Sequence, residues 1–106
     1  MRYIAHIEWL ECDCGARRHG ILRLFEDRGQ KLADDGMPDG AWLWRCHVEL
    51  RTPVLKFRAA RHTPPDGSRH LLYEVARSLG CERVWWQRCV SGRLVTVEFP
   101  IPSLAA

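Results

Sequence analysis

Apolar and polar residues alternate along much of this chain, most strictly in AWLWRCHVELR, residues 41–51. There Trp42, Trp44, Cys46, Val48 and Leu50 share one parity, and Leu43, Arg45, His47, Glu49 and Arg51 the other. Successive side chains of a strand point to opposite faces, so the pattern predicts an antiparallel strand with indoles on a core and guanidiniums in water. The opening YIAHIEWLEC repeats the theme, with Tyr3, Ala5, Ile7 and Trp9 on one side and His6 and Glu8 on the other. GILRLFEDRG predicts a second strand. After Thr52-Pro53, VLKFRAAR predicts a fourth, with Leu55, Phe57 and Ala59 inward and Lys56, Arg58 and Ala60 outward. Pro53 has no amide hydrogen to give a ladder and belongs in a turn or at an edge. DDGMPDG, residues 34–40, is rich in turn formers and poor in apolar groups, which predicts an exposed loop.

The period changes after His62-Thr63-Pro64-Pro65-Asp66-Gly67. Leu71, Leu72, Val75, Ala76 and Leu79 recur at helical spacing, Asp66 or Ser68 can cap the first turn, and Gly80 stands where helices end. The tail RVWWQRCVSGRLVTVEFP predicts a hairpin turning at Ser91-Gly92. Its expected core side is Val84, Trp86, Val90, Val95, Val97 and Phe99, and Trp85 points the other way beside Arg83. The predicted fold is α+β, a single domain over residues 1–106. An antiparallel sheet of about six strands, in the order β-β-β-β-α-β-β, carries one helix on one face.

Composition narrows the class. A chain of 106 residues, 46% hydrophobic and 27% charged, supports one core and is not a disordered tail. No apolar run is long enough to span a bilayer, and His6 and Glu8 interrupt what would be a signal peptide, so a cytoplasmic location is expected. The net charge of +3 is unevenly spread. Residues 26–39 hold five acidic and two basic groups, and residues 40–106 hold ten basic and five acidic. Fourteen of the sixteen basic residues are arginine, whose planar fork binds phosphates and carboxylates in pairs of hydrogen bonds.

Five cysteines cannot all pair within one chain, which fits a reducing compartment. Cys12, Cys14 and His19 look like half of a zinc site, and a zinc-stabilised interaction module is one reading of them. The second half is missing. Cys46 and His47 are strand neighbours on opposite faces, and Cys81 and Cys89 have no histidine nearby. Free thiols are therefore expected, with Cys46 a small core hydrophobe and no metal or other cofactor implied.

The outward face of the third and fourth strands carries the chemistry. Arg45, His47, Arg51, Lys56 and Arg58 stand against one carboxylate, Glu49, with Arg61 and Arg69 as extensions and Trp85 as an aromatic companion. That combination predicts docking on an anionic macromolecule: nucleic acid, a nucleoprotein complex or an acidic protein surface. The acidic segment 26–39 gives such a molecule a second face of opposite sign. This is the composition of a small adaptor or inhibitor, such as a phage accessory protein acting on a nucleic-acid-targeting machine. A catalytic alternative uses His47 and Glu49 as acid and base of a small metal-independent nuclease, with Arg45 or Arg51 on the phosphate. The plainest alternative is a solvated face whose ion pairs imply no function. No family motif decides among them.

Overall fold

Six strands and one helix account for the regular structure of the described residues. A computed structural model describes residues 1–10, 18–60 and 62–102. The elements are β1 (Tyr3–Leu10), β2 (Arg18–Glu26), β3 (Trp44–Arg51), β4 (Val54–Ala60), α1 (Arg69–Ser78), β5 (Arg83–Val90) and β6 (Arg93–Pro100). All six strands lie in one sheet in the order β1-β2-β3-β4-β5-β6. The α+β class is as the pattern predicts.

The sheet is mixed, which corrects the antiparallel expectation. β4 and β5 run parallel, pairing Val54 with Arg83 and Phe57 with Trp86. The reason is α1 itself. A helix between two neighbouring strands carries the chain back to the end it started from, so the second strand repeats the direction of the first. Every other neighbouring pair is antiparallel.

α1 lies on the inner face. Leu72 and Ala76 are fully buried against Leu22, Leu24, Val48, Leu55, Phe57 and Val84, with Trp44, Cys46 and Leu50 completing the core. Burying each of these larger side chains contributes roughly 1.5–3 kcal/mol. The helix ends as predicted. Gly80 takes φ +81°, its amide donates to Arg77 O, and the Cys81 amide donates to Ala76 O. These two bonds satisfy carbonyls that the helix leaves open. Its start differs from expectation, because Ser68 is the N-cap but makes no side-chain cap bond. The Ser68 hydroxyl donates backwards to Pro65 O instead.

Inner and outer parity hold where strands are paired and covered. Ala5, Ile7 and Trp9 pack against the core from β1. Trp9 lies over Gly20, where an added Cβ would meet Ile7 Cγ2 at 2.8 Å and Glu8 O at 2.9 Å. The close approach of β1 to β2 requires glycine there. On the other face Glu8 pairs with Arg23 at 2.8 Å, and His6 is buried beneath the segment 34–40. Asp35 reaches it, with its carbonyl 3.1 Å and its carboxylate 3.7 Å from Nε2. The loop predicted as merely exposed therefore covers one end of the open face. Leu32 and Pro38 bridge across it, and Pro38 is buried.

Two parity expectations fail. Trp42 is 45% exposed and lies ahead of β3, because the β2–β3 ladder stops at Leu24 opposite Trp44. Without a ladder nothing enforces period 2. At the far side Val90, Val95 and Val97 are exposed, as is Leu94 at 70%. The turn is the expected one, with Ser91 at φ 50° and Gly92 at φ 77°. Yet β4 accompanies β5 only to Arg88, so the hairpin tip runs past both its neighbour and the helix. Near the base Phe99 packs edge-on against Tyr73, and Trp86 stacks on Phe57 at 4.2 Å. Among the described residues no helix is long and apolar enough to cross a membrane.

Candidate anion-binding face

Register brings the polar residues of four strands together on the face opposite α1. His19, Glu49 and Lys56 oppose one another across β2, β3 and β4, and Trp85 continues the row on β5. The adjoining row holds Ile21, His47 and Arg58. Directly opposed side chains of a sheet lie about 5 Å apart, so these groups form one cell.

Glu49 is the hub. Alternation predicts it in water, but the residue is 3% exposed. Lys56 Nζ stands 3.7 Å from its Oε2, and Arg58 Nη2 3.5 Å from its Oε1. The physical reason is length. Two long cationic side chains on the next strand lie over a carboxylate whose own stem keeps it close to the sheet. Neither approach is a hydrogen bond, and both Glu49 Oε2 and Arg58 Nε are buried without a hydrogen-bond partner. The two cations outnumber the one carboxylate, and the cell has spare capacity to donate and accept.

Trp85 is half-buried against this same cluster. Lys56 Nζ lies 5.3 Å and the Arg58 guanidinium 5.1 Å from its ring. Its outward direction is as predicted, and its cover comes from these two side chains. Lys56 keeps 20% and Arg58 39% of its side chain exposed, so Arg58 is the more accessible cation. Arg45 and Arg51 are exposed at the two ends of β3, and no salt bridge to either occurs among the described residues. They are six residue steps apart along the strand, roughly 20 Å. Arg45 lies over the exposed Trp42 at 5.0 Å. Arg83 on the open face is paired with Glu98 at 3.1 Å.

An opening adjoins the cell. The β3–β4 ladder ends at the His47–Arg58 pair, while β2 stays with β3 as far as Trp44. Beyond that point a cleft of about 680 Å³ lies between β3 and the segment after β4, lined by Trp42, Leu43, Arg45, His47 and His62 among others. Trp44 Nε1 donates to His62 O at 2.8 Å and fixes one wall.

The predicted site residues thus divide. His47, Lys56, Arg58 and Trp85 meet, and Arg45 and Arg51 flank them. Arg69, suggested as an extension, lies at the start of α1 beside Trp86 and Phe99, on a second cleft. Arg61, Cys12 and Cys14 lie outside the described residues. His19 stands beside His47, ring centroids 5.7 Å apart. No group of three His, Cys, Asp or Glu able to hold a metal exists among the described residues. Cys46 and Cys81 are buried, and burial pushes both thiols up from their ordinary value; Cys89 is exposed. The place of His19 and the burial of Glu49 were not legible in advance, because the loops joining β2 to its neighbours do not fix register. No known protein family, curated protein or solved structure matches the chain.

Proposed function

We propose that the protein docks through this face on an anionic macromolecule, and that single-stranded nucleic acid, free or within a nucleoprotein complex, has the matching chemistry. The observation that carries the reading is the cation–aromatic platform, in which Lys56 and Arg58 rest on Trp85 and are held from below by Glu49. A buried anion that fixes two cations reduces the side-chain entropy they lose on meeting a phosphate. Arg45 on Trp42 repeats the pairing at the edge of the cleft. Alternating guanidinium and indole groups suit a strand whose phosphates and unpaired bases are both accessible.

The exposed carboxylates Asp27, Asp34 and Asp39 leave a second surface of opposite sign. One charged surface of each sign suits an adaptor or inhibitor that must meet both the nucleic acid and the protein of a complex. The test is retention on an immobilised single-stranded DNA column. Arg45→Glu with Arg51→Glu should shift elution to markedly lower salt, and Trp85→Ala should weaken binding by roughly 1–3 kcal/mol. Unchanged elution after the double reversal would discard the face as a binding surface.

A further inference from the structure

We infer that His19 and His47 form an acid–base pair that cleaves RNA by attack of a ribose 2′-hydroxyl on the adjacent phosphodiester. The inference rests on the nucleic-acid reading above and adds chemistry to it. The two imidazoles come from neighbouring strands, with ring centroids 5.7 Å apart and planes inclined at 47°. Both rings are part-exposed, and a centroid spacing of 5.7 Å lets one phosphodiester reach both imidazoles.

Glu49 is excluded as the base by its place. It stands directly opposite His19, yet it is 3% exposed beneath Lys56 and Arg58, with Oε2 buried. Its role is positioning, because it holds the two cations of the neighbouring strand. Arg58 stands directly opposite His47 and remains part-exposed, so its long side chain is within reach of the oxygens that gain charge as phosphorus becomes five-coordinate. Lys56 is the second cation within reach of the cell. The cleft that begins at His47 and extends to Trp42 and His62 provides a seat for a base beside the scissile phosphate.

The step balances without a redox partner. One neutral imidazole takes the proton of the 2′-hydroxyl as O2′ bonds to phosphorus. The P–O5′ bond breaks, and the other ring, initially protonated, gives its proton to O5′. The products are a 2′,3′-cyclic phosphate and a 5′-hydroxyl, and the two rings have exchanged protonation states. Hydrolysis of the cyclic ester restores them: the ring now neutral takes a proton from water, whose oxygen bonds to phosphorus, and the other returns its proton to O2′. Both proton transfers belong to the rings. The first step requires a 2′-hydroxyl, so RNA is substrate and DNA only a ligand.

The experiment uses the full chain in chelator. Its probes are a labelled mixed-sequence RNA containing every dinucleotide step and the all-deoxy oligonucleotide of the same sequence. The expected result is RNA fragments ending in 2′,3′-cyclic phosphate, with the deoxy strand bound but intact. His19→Ala and His47→Ala should each slow cleavage at least ~100-fold at RNA concentrations that saturate binding. His19→Gln and His47→Gln, which keep a polar side chain on the strand, serve if an alanine variant fails to fold. Intact RNA with the deoxy strand bound overturns the acid–base pair and leaves the docking function standing. Failure to bind either strand overturns both. Cleavage that survives both histidine substitutions, or that also cuts the deoxy strand, overturns the assignment to these rings.

Discussion

The centre of the sheet and the tip of its last hairpin obey the same alternation and end in opposite environments. In β3 and β4, one parity yields Val48, Leu55 and Phe57 at zero exposure. At the tip of β5 and β6, the corresponding parity yields Val90 and Val95 in solvent. The centre is covered by α1 on one side and by its own long cations on the other. The tip has neither, because α1 is ten residues long and β4 leaves β5 at Arg88. Alternation decides which side a residue faces, but only tertiary packing decides whether that side is dry. The same lesson explains Glu49, which occupies a wet parity and is buried by Lys56 and Arg58.

Truncation measures the contrast directly. Phe57→Ala should cost about 3–5 kcal/mol in chemical denaturation, since Phe57 is fully enclosed and stacked on Trp86. A loss below about 1 kcal/mol would mean that the centre is loosely packed. Glu49→Ala should cost about 2 kcal/mol, because it strands two part-buried cations. A surface pair would cost less than about 1 kcal/mol, and such a value would return Glu49 to solvent.

The buried thiols give the comparison a pH axis. Burial raises Cys46 and Cys81 above the ordinary thiol value of 9.0, so the folded state holds protons that the unfolded state releases. Their contribution is fully present below that value and falls as pH rises above it, by about 1.4 kcal/mol per unit for each thiol that stays protonated only when folded. Denaturation midpoints should therefore drop on the alkaline side, and Cys46→Ala should flatten the drop. A slope that Cys46→Ala leaves unchanged would assign the alkaline loss to other groups. Val90→Thr at the tip should change stability by less than about 0.5 kcal/mol. A larger loss would show that the tip is covered in solution.

The sequence makes much of the centre legible. The strands, the helix with Gly80 at its end and the Ser91-Gly92 turn all carry local signals, in period or in backbone preference. The parallel step from β4 to β5 carries none, since it follows from where the helix lands. The cell on the open face is half legible. Parity puts His47, Lys56, Arg58 and Trp85 outward, and that reading is local. His19 joins them only through the β2–β3 register, which sets it opposite Glu49 across a connection of seventeen residues between Glu26 and Trp44.

The salt dependence of single-stranded DNA binding tests the docking face most directly. With Arg45, Arg51, Lys56 and Arg58 meeting phosphates, log K should fall against log salt with a slope of about −2 to −3. Replacing Arg45 and Arg51 with alanine should reduce that slope by about 1.4 without unfolding the protein. A slope near zero, or one that the double substitution leaves unchanged, would contradict the account.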